Sequence, residues 1–315
     1  MLNLNDRAWQ LCDELAADVE LLNISVSHSA AGTRLIDCGV KAAGGLEAGK
    51  RLATICLADL GDVSIAAPRT GELPCPAVTV VTDQPLLACL ASQYAGWQLT
   101  GEKFFAMASG PMRSVACREE LFEHLGFRET AARVVGVLES SKLPPDDVCH
   151  KIAEQCGVPP AAVTLVVART ASTAGTFQVV ARAVETALHK LHVLGYDLKN
   201  VASAVGAAPL PPIAANDMTG IGRTNDAVLY GGEVTLWVRD DDARLAEIGP
   251  RIPSSASPDC GEPFSAIFER YGRDFYKIDP LLFSPAIVTL INLTTGRAHR
   301  FGALRPDVLR QSFGL

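Results

Sequence analysis

Apolar residues recur every third or fourth position through residues 3–23, where Leu4, Ala8, Leu11, Leu15, Val19 and Leu22 share one side of a helix. Short alternating runs at 24–26 and 34–38 predict strands, and the helical period returns over 45–60. Residues 63–67 and 77–82, bounded by Pro and Gly, predict two more strands. A helix is expected over 84–94, followed by a Gly- and aromatic-rich segment at 96–111, a helix over 119–125 and a strand over 132–138. Beyond Ser140-Ser-Lys-Leu-Pro-Pro-Asp-Asp147 the pattern predicts a helix over 148–156, a buried strand over 162–168 and a helix through Arg182. A short helix over 198–205 and a proline-rich turn at 207–212 come next. Strands are expected at 226–230, 233–238, 287–293 and 297–301, with helices at 243–247 and 264–268, and Gly231-Gly232 reads as a tight hairpin turn.

Helices and strands mix without regular βα alternation, and several strand pairs are near neighbours in sequence. The expected fold class is therefore α+β, with mainly antiparallel sheets. A length of 315 residues suits about two domains. The cluster of Ser, Pro and charge at 140–147 puts the boundary there. This gives an N-terminal α+β domain of 1–145 and a C-terminal one of 146–315, whose last strands are free to return to the first.

The helix through Arg182 carries the most informative pattern. Val179, Val180, Ala183, Val184, Ala187, Leu188 and Leu191 recur at core-facing spacing, while Gln178, Arg182, Glu185, His189 and His192 step by four, three, four and three along the other side. Arg182 and Glu185, three apart, project from the same face, so guanidinium and carboxylate can meet. This stripe faces either water, as a surface with one weak ion pair, or a binding cleft. Two features favour the cleft. The stripe is poor in Lys, and it follows Thr170-Ala-Ser-Thr-Ala-Gly-Thr176, whose small residues let a ligand approach the helix start.

A net charge of −7 argues against nucleic acid as the main partner, while leaving room for a locally basic pocket for an acidic small molecule. The nine cysteines (Cys12, Cys38, Cys56, Cys75, Cys89, Cys117, Cys149, Cys156 and Cys260) are odd in number and form no Cys-x-x-Cys, which speaks for free thiols in a reducing cytosol. Acidic residues from Asp6 to Glu20 interrupt the first helix, unlike an export signal. No stretch reaches the ~18 apolar residues of a membrane span. A soluble, cytoplasmic protein with no membrane partner is expected.

Gly44-Gly-Leu-Glu-Ala-Gly-Lys50 matches the start of a phosphate-binding loop, but Arg51 stands where the magnesium-holding hydroxyl belongs and Glu47 adds a negative charge. It reads as a turn feeding a helix. His189 and His192 lack an evident third ligand, so no metal site is expected. There is no Gly-x-Ser-x-Gly elbow. Ser92-Gln-Tyr-Ala-Gly-Trp97 and Phe104-Phe-Ala-Met-Ala-Ser-Gly-Pro111 place aromatic, amide and hydroxyl groups beside glycines. They suit a flat heteroaromatic ligand, with rings such as Tyr94 and Phe105 stacking, Gln93 reading an edge, and Ser109 and Gly110 approaching closely. The alternative is two ordinary loops with packed aromatics. Asn216-Asp217 and Arg223-Thr-Asn-Asp226 are turn chemistry by default, and Asn225 and Asp226 become binding candidates only if they line the same cleft.

Together these segments resemble the methenyltetrahydromethanopterin cyclohydrolases. The resemblance rests on Ser92–Trp97, Phe104–Pro111, Thr173-Ala-Gly-Thr-Phe-Gln-Val-Val-Ala-Arg-Ala-Val-Glu185, Gly222-Arg-Thr-Asn-Asp226 with Tyr230-Gly-Gly232, and Asp274-Phe-Tyr-Lys-Ile-Asp279 with Phe283-Ser-Pro285. The character is that of the bacterial, methylotroph-like branch. Ala108 departs from the pattern where a glycine is expected, and Cys260 where a larger ring is expected. The resemblance implies two α+β domains with a ligand cleft between them, a homotrimer, no metal and no permanently bound cofactor. It implies Glu185 and Arg182 as the catalytic pair, with Gln93, Tyr94, Phe105, Ser109, Gly110, Gln178, Asn225 and Asp226 as substrate-binding residues. The implied reaction is reversible hydrolysis of 5,10-methenyl-tetrahydromethanopterin to the 5-formyl derivative, in formaldehyde oxidation. Competing readings are a non-catalytic pterin-binding or scaffold protein, a related pterin formyltransferase or dehydrogenase, and a folate-using cyclohydrolase. A dehydrogenase would need the Gly-x-Gly-x-x-Gly loop, which is absent.

Overall fold

The computed structural model describes residues 2–67, 73–274 and 277–315. Phe275 and Tyr276 of the 274–279 motif lie outside the described residues. The strands are β1 (Ser25–His28), β2 (Arg34–Gly39), β3 (Asp62–Ala66), β4 (Ala77–Thr82), β5 (Trp97–Gly101), β6 (Phe104–Ser109), β7 (Val134–Glu139), β8 (Val163–Ala168), β9 (Val201–Pro209), β10 (Glu233–Val238), β11 (Ile287–Asn292) and β12 (Ala298–Gly302). The helices are α1 (Leu4–Ala17), α2 (Val19–Leu22), α3 (Leu46–Cys56), α4 (Met112–Ala116), α5 (Leu121–Leu125), α6 (Asp146–Cys156), α7 (Thr173–Val180), α8 (Ala183–Val193), α9 (Asp217–Gly231), α10 (Asp242–Ile248), α11 (Phe264–Arg270) and α12 (Pro306–Phe313).

The chain divides into two compact units, one of Met1–Gly61 with Leu87–Gln178, the other of Asp62–Leu86 with Val179–Leu315. This differs from the expected division at 145. Residues 140–147 link β7 to α6 inside the first unit, where Val148 and Ile152 share a core with Leu138. A polar, Pro-rich stretch marks a surface turn as readily as a domain boundary. The units are discontinuous because β4, with β3 paired on its outer side, pairs with β9 of the later sequence.

The first unit holds a six-stranded sheet in the order β1-β2-β8-β7-β6-β5. Its centre, β2, β8 and β7, is parallel. Strands β7 and β8 are buried along their lengths except at Glu139, the expected pattern for parallel strands covered on both faces. One face packs Cys12 and Leu15 of α1 and Leu52 and Ile55 of α3 against Ile36, Val137 and Val166. The other packs Ile152 and Ala153 of α6 against Leu99, Ala106 and Leu165. Helices α3 and α7 touch at Gly49, where a Cβ would come within 2.7 Å of Phe177 Cβ.

The second unit holds a six-stranded sheet in the order β12-β11-β10-β9-β4-β3, parallel between β10 and β11. With the two parallel pairings of the first unit that makes three, and the other seven described are antiparallel. The expected α+β class with mainly antiparallel sheets is what the protein has. Val78 and Val80, Ala204 and Ala208, and Val234 and Leu236 alternate inward along β4, β9 and β10. Helix α8 lies on this sheet. At Gly206 an added Cβ would come within 2.6 Å of Val184 Cγ2 and 3.2 Å of Val184 N, so the bare backbone there allows the close approach.

Three sequence expectations are corrected. Residues 201–205 belong to strand β9, not a helix: the small residues of Val201-Ala-Ser-Ala-Val205 carry little periodicity, and β4 and β10 pair with them from both sides. Residues 226–230 are the end of α9, not a strand, and Gly231-Gly232 passes that helix into β10 rather than closing a hairpin. Ala227, Val228, Leu229 and Tyr230 are all buried, which erases the helical period, while Asn216 caps the helix start by accepting from Thr219 N at 3.0 Å. The Gly- and aromatic-rich segment at 96–111 carries the hairpin β5–β6.

Candidate active site

The predicted continuous helix through Arg182 is two helices. α7 ends at Val180, and Arg182 is the N-cap of α8 with φ −94° and ψ 7°. Neither proline nor glycine marks the break, so no local signal announces it. It falls just after the chain passes from one unit to the other at Gln178–Val179.

Arg182 Nη1 stands 3.8 Å from Glu185 Oε2, within ion-pair range but beyond a direct hydrogen bond, and the two side chains are 9% and 6% exposed. That rules out a solvated surface pair. Gln178 is buried as well, while His189 and His192 are half-buried with ring centroids 6.4 Å apart. Taking a guanidinium and a carboxylate out of water carries a desolvation cost, so a buried pair of this kind is weak evidence of a purely stabilising role. Buried ionisable groups brought together in this way are candidates for a functional site.

In the first unit, Gln93 ends a π-helical segment (Leu86–Gln93) whose last i→i+5 bond runs from Tyr94 N to Cys89 O at 2.7 Å. Such wide turns are frequent at functional sites. The segment is tied from several directions. Ser92 Oγ donates to Cys56 O at 2.7 Å, and Gly110 N donates to Ser92 O at 2.8 Å. Gly110 does so at φ +89°, and a Cβ there would come within 3.0 Å of Val137 N, so the position requires glycine. Gln93, Tyr94 and Gly110 are thereby gathered in one place. Ser109 is also there, but fully buried, with its hydroxyl 3.3 Å from both Val137 O and Cys56 Sγ. Phe105 is 52% exposed on β6.

The other two expected binding residues are engaged inside the second unit. Asn225 Nδ2 donates back to Ile221 O on its own helix at 2.8 Å. Asp226 is fully buried, accepting from Phe264 N at 2.8 Å and from Ser312 Oγ at 2.6 Å, which ties α9 to the ends of α11 and α12. Desolvation pushes its carboxyl up to about 7. These bonds make Asp226 a tie between three helices within the second unit.

Of the two departures from the family pattern, Ala108 lies within β6, where Trp97 and Leu138 pair with it and no left-handed backbone is required. Cys260 is half-buried, and desolvation raises its thiol.

Two charged residues escaped the sequence reading. Arg113 is fully buried. Its Nε bonds Glu119 Oε1 at 2.8 Å, its Nη1 bonds Leu90 O at 2.9 Å and Ser92 O at 3.3 Å, and its Cζ lies 5.1 Å from the centre of the Tyr94 ring. It positions the 90–94 segment. Lys190, on α8, is also fully buried. Its ammonium donates to Leu281 O, and desolvation lowers its pKa to about 8. A lone Arg or Lys carries no spacing signal that would betray its burial. Among the described residues no three His, Cys, Asp or Glu side chains converge as a metal site, and no helix is long and apolar enough to cross a membrane.

Residues 3–313 match a family model described as Cyclohydrolase (MCH). The methenyltetrahydromethanopterin cyclohydrolase of Rhodopirellula baltica is 49% identical over 296 residues, covering 92% of this chain and 89% of that protein. The protein of the same name from Methylobacterium sp. is 47% identical over 315 residues, covering 99% and 97%. That from Methanosarcina barkeri is 41% identical over 318 residues, covering 100% and 99%.

Proposed function

The chain belongs to the methenyltetrahydromethanopterin cyclohydrolase family and is a hydrolase acting on a cyclic C–N bond; from that premise we propose that it interconverts 5,10-methenyl-tetrahydromethanopterin and the 5-formyl derivative, with Glu185 as acid/base and Arg182 as its orienting partner. The observation that carries the assignment of roles is the burial of this pair at 3.8 Å. The carbon between N5 and N10 is an amidinium-type cation and already electrophilic, so the reaction needs neither metal nor cofactor. Water attacks that carbon as Glu185 takes its proton, giving a neutral carbinolamine. The carbinol oxygen then loses its hydrogen and becomes the formyl carbonyl, the C–N10 bond breaks, and Glu185 returns its proton to N10. One proton is released overall. Arg182 beside the carboxylate favours its ionised form and stabilises charge on the attacking oxygen. The remaining parts of the reading are a cytoplasmic homotrimer and a setting in formaldehyde oxidation within one-carbon metabolism.

The test mixes purified protein with the methenyl pterin and follows loss of its chromophore, with methenyl-tetrahydrofolate in parallel. Wild-type turnover is expected. Glu185→Gln should retain binding while kcat falls about 100- to 10,000-fold, the usual value of acid/base assistance. A near-normal kcat in that variant removes Glu185 from the chemistry. A wild type that leaves the chromophore intact removes the reaction and favours a pterin-binding protein.

A further inference from the structure

The parallel strands β2, β7 and β8 of the first unit end side by side, and carboxylates stand at two of those ends. Asp37 is spent on its own turn, accepting from the N–H groups of Gly39, Val40, Lys41 and Ala42. Glu139 is different. It is half-buried, its Oε1 accepts from the Thr170 hydroxyl, and no basic side chain among the described residues pairs with it. Thr170 is itself fixed, since Thr176 Oγ1 donates to its carbonyl at 2.8 Å. The chain runs from Thr170 into α7, the helix that leads to Arg182.

Strand register shows what accompanies this carboxylate. Glu139 pairs with Met107 on β6, which pairs with Gln98 on β5. Side chains alternate along a strand, so Phe105 and Met107 share the face of Glu139. Helices α1 and α3 cover that face over Val135, Val137 and Val166 but leave Phe105 exposed. An aromatic ring, a thioether, an amide and an uncompensated carboxylate thus lie on one face, at the carboxyl ends of parallel strands where ligands commonly bind.

We propose that Glu139 is a specificity-determining residue that reads the amino-pyrimidinone edge of the substrate's pterin head, with Phe105 and Met107 against the ring. This rests on the pterin substrate proposed above. The 2-amino group and N3–H of such a head point the same way and are spaced for the two oxygens of one carboxylate, giving paired charge-assisted bonds. Thr170 holds the carboxylate in orientation.

The experiment compares binding of 6-methylpterin and 6-methyllumazine, followed by fluorescence titration, in wild type and Glu139→Gln. Lumazine carries a carbonyl where pterin carries the amine, so it turns an acceptor toward the carboxylate. Wild type should prefer 6-methylpterin by at least about tenfold, the worth of one charge-assisted bond. Glu139→Gln keeps an oxygen for Thr170 and so keeps the local fold, but the preference should collapse to within about threefold, and KM for the methenyl pterin should rise about tenfold or more. A preference unchanged by the substitution overturns the proposal. If neither head fragment binds measurably, KM decides, and an unaltered KM in Glu139→Gln overturns it equally. A wild type that separates the two heads yet turns over no methenyl pterin would remove the reaction and leave this recognition standing.

Discussion

Replacing Asp226 by Asn separates a structural tie from a substrate ligand. Desolvation raises this fully buried carboxyl from 3.8 to about 7. A group with a higher pKa folded than unfolded stabilises the fold in full below its unfolded value, and that contribution is lost as pH rises through the folded one. At about 1.4 kcal/mol per pKa unit, the loss between pH 5 and pH 8 is roughly 2–3 kcal/mol. Asn keeps an oxygen for Phe264 N and offers its amide to Ser312 Oγ, preserving both ties without titrating. Denaturant midpoints of both proteins at pH 5, 6, 7 and 8 should show wild type losing roughly 2–3 kcal/mol relative to Asp226→Asn across the series. A difference that stays constant with pH refutes the buried-acid reasoning. A large rise in KM without that pH dependence would instead restore Asp226 as a substrate ligand.

Gly206→Ala should destabilise by roughly 1–3 kcal/mol, because the new methyl meets Val184 on α8, and it should lower kcat more than it alters KM, since Val184 lies between Arg182 and Glu185. Thermal unfolding and steady-state kinetics check both; a kcat equal to wild type would show that α8 is not positioned from β9. Lys190 titrates near 8 when folded, against 10.5 unfolded, so the unfolded chain binds more protons between those values and stability rises with pH there. Wild type should gain roughly 2 kcal/mol on Lys190→Met from pH 8 to pH 10 in denaturant titrations, and parallel curves would contradict the buried ammonium. Arg182→Lys should lower kcat, because an ammonium lacks the planar fork, and unchanged kinetics would reduce Arg182 to a packing residue.

Strong periodicity carried over into structure where one face of an element is buried and the other is not. Residues 77–82 were expected as a strand and are β4, whose burial alternates along its length. Uniform burial or small side chains erase the pattern: the end of α9 hides its helical repeat, and β9 offers Ala, Ser and Gly in place of an alternating pattern. At the site, the three-residue spacing of Arg182 and Glu185 was readable, but the helix break at 181–182 was not, because it coincides with the passage between units rather than with a breaking residue. Gly110 was found through its neighbours and needs its φ of +89° to hold Ser92. Ser109 and Asp226 drew attention for polarity that the structure spends internally. Arg113 and Glu139 gave no warning, since Leu90 O and the Thr170 hydroxyl, which fix them, lie 23 and 31 positions away.

The pairing of β4 with β9 has a consequence for biosynthesis. The β3–β4 hairpin leaves the ribosome about 120 residues before its partner strand, a delay of roughly 6–24 s at ordinary elongation rates. Through that interval the edge of β4 that will face β9 has its main-chain donors and acceptors unmet, which is the template on which nascent chains cross-associate. A fragment ending at residue 178 would make that exposure permanent, so expressing the front half alone should yield aggregate even though every strand of its own sheet is present.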